Sequence, residues 1–195
     1  MRRTTISLRN VESLPDAELV DLILKNKDLY KIVVDRYEAK LLRYMRRITN
    51  IRPEDIEDCL QEVFLKAYLN LNDYNKSLSF SSWIYRIGHN EVVSFWRKKK
   101  VKPDNLQFLD NDSKLVDLHS LADELDIKLN KQKINEVLSQ MPLSYREILV
   151  LRFFEEREYK EISDILKIPP NTVGVWLNRA KRSFGEIAKK KKIKF

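Results

Sequence analysis

Apolar residues recur at steps of three and four along most of the chain, the period of one helical face. Strict alternation of the kind a half-buried strand needs is hard to find. Leu19, Leu22 and Ile23 are followed by Val33, Tyr37, Leu41, Met45 and Ile48. A break at Asn50 to Pro53 ends that run, and Glu54 and Asp55 then stand in a new first turn, where carboxylates favour the helix dipole. The next stretch, to about Leu71, sets Ile56, Leu60, Val63, Phe64, Ala67 and Leu71 on one stripe. A polar loop, "NDYNKSLS" (72–79), separates it from a helix that starts near Phe80 and ends in the basic run Arg97 to Lys100.

Beyond Val101 the periodicity weakens. Pro103 and many acids mark residues 102–129 as a linker, with a short helix at its C-terminal end. Helical patterning returns from Asn130. Pro142 and Ser144 precede an apolar-periodic helix, "YKEISDILKI" supplies a short helix with Ile162, Ile165 and Leu166 inward, and Pro169–Pro170 introduce a last one that Asn171 or Thr172 can cap. The pattern predicts an all-α chain: an N-terminal extension (1–14), a helical domain (15–101), an acidic linker (102–129) and a second small helical domain (130–195).

Charge sharpens this picture. The net charge is +8. The middle is nonetheless negative, with Asp104, Asp110, Asp112, Asp117, Asp123, Glu124 and Asp126 against Lys102, Lys114 and Lys128. The flanking domains are therefore more basic than the sum suggests, which points to a polyanion such as nucleic acid, although a solvated surface gives the same runs. The single Cys59 excludes an intramolecular disulfide, and two histidines leave little for a metal site. No apolar run spans a bilayer and no secretory segment follows Met1, so a cytoplasmic setting is expected. Neither a Gly-rich phosphate loop, nor a carboxylate cluster with metal-ligand spacing, nor a nucleophile with a partner base is present; no catalysis, cofactor or small-molecule substrate is expected.

Three stretches carry candidate chemistry. Helix, short turn, helix over 159–182 is the spacing of a helix-turn-helix, whose second helix enters the major groove. At 100° per residue, Val173, Leu177, Ala180, Phe184 and Ile187 share one face, and Asn171, Val175, Asn178, Arg179 and Arg182 oppose it. An outward Val can touch a thymine methyl, Asn can read adenine and Arg can read guanine or hold a phosphate. A simple packing helix with a soluble basic end fits the same pattern. On 54–71, the face opposite the core stripe holds Asp58, Gln61, Glu62, Leu65 and Leu69, either a protein-docking surface or one more internal contact. On 80–100, Phe80, Trp83, Ile84 and Ile87 lie on one side and Tyr85, His89 and Trp96 on the other. Beside Arg86 and Arg97 to Lys100, these rings suit unstacked bases, with Phe80 and Trp83 suited equally to a core.

Together these stretches resemble the sigma-70 family, in its short extracytoplasmic-function (ECF) group. "DIEDCLQEVFLKAY" (55–68) resembles region 2.2, "FSSWIYRIGHNEVVSFWRKK" (80–99) regions 2.3 and 2.4, and "MPLSYREILVLRFFEEREYKEISDILKIPPNTVGVWLNRAKRSF" (141–184) region 4. The resemblance implies a promoter-specificity subunit of RNA polymerase that docks on the β′ coiled coil through Asp58, Gln61, Glu62 and Leu65. It implies capture of an unstacked −10 base, at a few kcal/mol per flipped base, by the loop Asp73 to Ser79 and the next helix. Asp73, Tyr74, Asn75, Lys76, Ser77, Arg86, Asn90, Arg97 and Lys98 are the matching positions. It places −35 recognition on Asn171, Thr172, Val175, Asn178, Arg179 and Arg182, with the β flap as a further contact. It also implies a linker running through the polymerase, and an anti-sigma factor as a plausible partner.

Two departures stand out. The 73–79 loop lacks the Gly often found there, and "TVGVWL" (172–177) places Gly174 and Val175 where a Lys and a Ser are common. A dimeric helix-turn-helix regulator with an N-terminal sensing domain is the alternative, but it leaves the 55–68 face and the aromatic-basic helix without a role.

Overall fold

The computed structural model describes residues 11–98 and 127–193, and all regular structure among them is helical. The first half comprises α1 (Asp16–Lys25), α2 (Tyr30–Ile48), α3 (Pro53–Leu69) and α4 (Phe80–Lys98). The second comprises α5 (Ile127–Ser139), α6 (Leu143–Phe153), α7 (Tyr159–Leu166) and α8 (Pro170–Lys190). Most of the 102–129 linker and most of the 1–14 extension lie outside the described residues.

In the first half, the stripes expected from periodicity meet in one core. Leu19, Ile23, Val33, Leu41, Met45, Ile48, Val63, Ala67 and Ile84 are buried there. Pro53 starts α3 at its first position, where the missing N–H has no partner to lose. Arg36 fixes the approach of α1 to α2: its Nη2 donates to the Glu12 and Leu14 carbonyls at 2.9 and 3.1 Å, and its Nη1 to Asp16. Asp16 also accepts from the buried Tyr37 hydroxyl. The polar loop before α4 is held from inside, because the Tyr74 ring packs edge-on against Phe80 (5.2 Å between centroids) and beside Trp83 (5.5 Å).

The second half differs in one respect from its periodicity. Six successive residues of α6, Arg146 to Leu151, are buried, so α6 is not a surface helix with one apolar face. The reason is position: α6 packs on α8 and α7 on one side and on α2 on the other. The α7–α8 pair begins with a capping box, in which Glu158 and Glu161 each accept from the other's backbone N–H. Lys167 then turns the chain in the left-handed region (φ 57°), and the Ser163 hydroxyl donates to the Ile168 carbonyl at 2.7 Å. Neither Asn171 nor Thr172 caps α8. Pro169 occupies the cap position and Pro170 the first turn, so fixed proline φ angles start the helix where a side-chain acceptor was expected.

The two halves pack together. α2 lies against α5 and α6, and α4 lies against α7.

Candidate functional site

Three exposed surfaces and one buried junction carry the chemistry. On α3, Asp58, Gln61 and Glu62 are exposed. Leu65 and Leu69 retain 50% and 64% of their surface, so no neighbouring helix among the described residues covers them. Two leucines beside two acids and an amide make an apolar strip with a negative rim, suited to a protein partner that brings basic charge.

The second surface is the loop before α4 with the outward positions of that helix. Asp73, Asn75, Lys76, Ser77, Asn90, Arg97 and Lys98 are exposed. Asn75 shapes the loop by accepting from the Ser77 N–H at 2.9 Å, and Lys76 pairs with Asp21. Two members of the expected set stand differently. Tyr74 is buried, and its hydroxyl donates to the Leu78 carbonyl at 2.7 Å; it holds the loop in shape from within. Arg86 donates from Nε to the Asp164 carbonyl of α7 at 2.6 Å, so its guanidinium is engaged by the other half.

The third surface is α8. Val173, Leu177, Ala180 and Phe184 are buried, as the wheel placed them, with Ala188 and Gly185 added to that face. Asn171, Val175 and Asn178 are exposed; Thr172, Arg179 and Arg182 are half-buried. Val175 keeps 48% of its surface, and so does Tyr159, the first residue of α7. A β-carbon on Gly174 would meet the Tyr159 ring at 3.6 Å, an ordinary contact, so the ring lies alongside α8. Tyr159 is a residue the periodicity had not singled out for this surface.

The junction is built from charged and hydroxyl groups. The buried Tyr44 hydroxyl donates to Glu147, which also bonds His89 Nδ1 at 2.8 Å. Nearby, the Tyr85 hydroxyl donates to Glu155 at 2.7 Å, and Arg47 reaches the same carboxylate at 3.3 Å. The Arg157 guanidinium lies 4.4 Å from the centre of the Tyr85 ring. Arg146 closes the far end: its two amino groups donate to the carbonyls of Ile48 (3.1 Å), Ser139 (2.9 Å) and Met141 (3.0 Å) and to Asn50 Oδ1 (3.2 Å). A cation at the C-terminus of α2 also meets the negative end of that helix. Burial first, and the Glu147 charge second, hold the Tyr44 hydroxyl well above the usual phenol range. Burial and the Glu155 hydrogen bond do the same for Tyr85, so both rings stay protonated donors. His89 is pulled two ways: burial disfavours its charged form, while the Glu147 charge and hydrogen bond together outweigh burial and raise its pKa.

Two family models meet this geometry. Sigma-70 region 2 matches residues 33–101, and sigma-70 region 4 matches residues 131–184. The chain belongs to the sigma-70 family. The ECF RNA polymerase sigma factor SigW of Bacillus subtilis is 29% identical over 169 residues, 81% of this chain and 88% of SigW. RNA polymerase sigma factor SigZ of the same organism is 31% identical over 137 residues, 69% of this chain and 72% of SigZ. The ECF RNA polymerase sigma-E factor of Escherichia coli K12 is 25% identical over 189 residues, covering 88% and 93%. Two solved structures share the fold at 18% identity. CnrH, in complex with the cytosolic domain of CnrY, has a TM-score of 0.64 over 93% of this chain and 97% of CnrH. Sigma factor RpoE of Bartonella quintana, in complex with the anti-sigma factor NepR, has 0.61 over 82% and 96%. This is an ECF sigma factor, a family that directs transcription initiation and is not enzymatic.

In the sigma factor, α2 to α4 are therefore region 2 and α5 to α8 region 4, with the buried junction between them. The junction is what sequence reasoning missed. One signal for it was present: Glu147 stands one turn before Leu151, on the inward side of an apolar run, and a buried carboxylate demands donors. The identity of those donors, Tyr44 and His89, lies about a hundred and about sixty residues upstream and carries no local mark. Among the described residues no helix is long and apolar enough to cross a membrane, and no three metal-ligating side chains come together.

Proposed function

We propose that this sigma factor docks on core RNA polymerase through the α3 face, with Leu65 seated in an apolar contact and Asp58, Gln61 and Glu62 answering basic charge around it. The observation that carries this reading is the exposure of Leu65 and Leu69 beside those acids. A strip of that kind has no use in a dimeric regulator that binds duplex DNA alone. Residues 15–101 and 130–195 are the two working domains, and the acidic 102–129 segment is the strap between them through the polymerase. The loop Asp73 to Ser79, through Asp73, Asn75, Lys76 and Ser77, and the α4 residues Arg86, Asn90, Arg97 and Lys98 take the −10 strand, with strand opening driven by capture of an unstacked base. Tyr74 supports that loop from inside. Asn171, Thr172, Val175, Asn178, Arg179 and Arg182 take the −35 element in the major groove, where the basic end of α8 adds phosphate contacts and salt dependence. An anti-sigma factor is a fitting regulator, since the structural neighbours CnrH and RpoE are complexes with CnrY and with the anti-sigma factor NepR.

The test is runoff transcription with bacterial core polymerase. The chain is expected to co-elute with core and to direct initiation at a discrete promoter. Failure to bind core at modest salt would overturn the docking assignment.

A further inference from the structure

One buried charge in region 2 belongs to neither of its proposed surfaces. Glu91 of α4 is buried, its side chain keeping 9% of its surface, and its carboxylate accepts from the Lys66 ammonium of α3. Lys66 is the open member, with 44% of its side chain exposed. A second observation sets the Glu91 carboxylate against α3. Burial first, and the Glu91 charge second, raise the Cys59 thiol above its ordinary value. Cys59 and Lys66 stand two turns apart on one side of α3, so Glu91 lies along that side, where α3 packs on α4.

The place of each partner ties two surfaces together. On α3, Glu62 stands one turn before Lys66 and Leu69 about one turn after, so Lys66 borders the exposed strip of Leu65 and Leu69. On α4, Glu91 follows Asn90 directly, and Asn90 and Arg97 share the next face round that helix. A buried carboxylate does not release its cation readily, because the charge left behind has no water. The pair therefore fixes how α4 is rotated against α3, and with it where Asn90 and Arg97 aim. A partner seated on the strip drives water from around Lys66, and an ion pair strengthens as the local dielectric falls.

We infer that Lys66 and Glu91 are positioning residues: the pair carries the seating of α3 on core polymerase to the α4 face that takes the −10 strand. Neither side chain touches DNA in this role. Polymerase binding tightens the pair, α4 is held at one rotation, and Asn90 and Arg97 are presented together to the unpaired strand. The inference rests on the proposed assignments of α3 to core docking and of α4 to the −10 element.

The test uses the full-length chain with saturating core polymerase. Glu91→Gln removes the buried charge at nearly constant shape, Lys66→Met removes the ammonium and keeps the stem, and Lys66→Arg keeps the charge. Each holoenzyme is titrated with a forked duplex carrying an unpaired −10 strand, built on the promoter found by runoff. Core affinity and helical circular dichroism are measured beside it. Glu91→Gln and Lys66→Met are each expected to lower fork affinity about tenfold, the size of an ordinary coupling between two sites. The double variant is expected to lose no more than either single one, since the second change removes half of a pair already broken. Lys66→Arg is expected to keep wild-type fork affinity, with core affinity within about twofold in every variant.

Additive losses, or fork affinities that do not move, overturn the coupling. Core and fork affinities that fall together mark the pair as a structural support of region 2, and a core loss confined to Lys66→Met marks Lys66 as a docking contact; either result overturns the positioning role. Lost helicity in Glu91→Gln passes the decision to Lys66→Met against Lys66→Arg, which alter the half-exposed partner alone. A wild type that fails to bind core is a separate result: it overturns the docking assignment on which the inference rests.

Discussion

The Tyr85 hydroxyl donates to the Glu155 carboxylate across 2.7 Å, joining a helix of region 2 to the turn that leads into the helix-turn-helix of region 4. One turn further along α4, His89 meets Glu147, which also takes the Tyr44 hydroxyl. Two carboxylates of region 4 thus enter region 2 with a donor set ready for each.

The cost of removing one member depends on what it leaves behind. Glu147→Ala strands a buried phenol and an imidazole and is expected to destabilise by about 3 kcal/mol. Tyr44→Phe leaves Glu147 its His89 partner and is expected to cost about 1 kcal/mol. Urea midpoints of the two variants, compared at one pH, check the order; equal losses would mean that Glu147 acts only by filling space.

His89 gives the junction a pH dependence of defined sign. Its folded pKa lies above the ordinary 6.5 because Glu147 outweighs the opposing effect of burial. A raised folded value contributes stability that is full below the unfolded pKa and is lost as pH rises through the folded one. The denaturation midpoint of wild type minus that of His89→Gln is therefore expected to be larger near about pH 5.5 than near about pH 8.5. A difference that grows with pH would show that the ring is held neutral.

Docking is expected to depend on α3 side chains that the fold does not need. Gln61→Ala with Glu62→Ala, or Leu65→Ser alone, is expected to weaken core binding about tenfold, roughly 1.4 kcal/mol. Circular dichroism should stay unchanged, since all three residues are exposed. Unchanged affinity in a titration of labelled chain with core would move the interface elsewhere.

Base reading by Val175 can be tested one methyl at a time. Replacing −35 thymines by deoxyuridine removes only the C5-methyl, and at the contacted position a loss of about 0.8 kcal/mol is expected, the worth of one buried methylene. Val175→Ala should show no such loss. Arg179→Ala should cost about 1–3 kcal/mol at one base position if the contact is bidentate. An equal loss on every −35 sequence would assign Arg179 to a phosphate instead.

Much of this was legible in sequence. The stripe Ile56, Leu60, Val63, Ala67 and the stripe Val173, Leu177, Ala180, Phe184 are buried as their spacing requires. Helical period is a local property, and three- and four-residue steps place side chains on one side whatever they later meet. Whether an outward face stays outward is not local. Leu65 and Leu69 remain exposed and Tyr85 does not, although all three stand off their helix's main apolar stripe. The groups that cover Tyr85 are the Tyr44 ring of α2 and, about seventy residues later in the chain, Glu155 and Arg157 in the turn before α7, and no periodicity in α4 announces them.

The sequence by itself determined the helices, their buried stripes, the helix-turn-helix and the two leucines set among acids, because each follows from spacing along the local chain. Only the tertiary structure decided that Tyr74 faces inward, that Pro169 and Pro170 rather than a side-chain cap start α8, and that Glu147 and Glu155 fasten region 4 over the α4 face carrying Arg86. A buried carboxylate must find its donors wherever the chain brings them, and here they come from Tyr44, Tyr85, Arg47 and His89, in a part of the molecule that the local pattern around residue 147 cannot see.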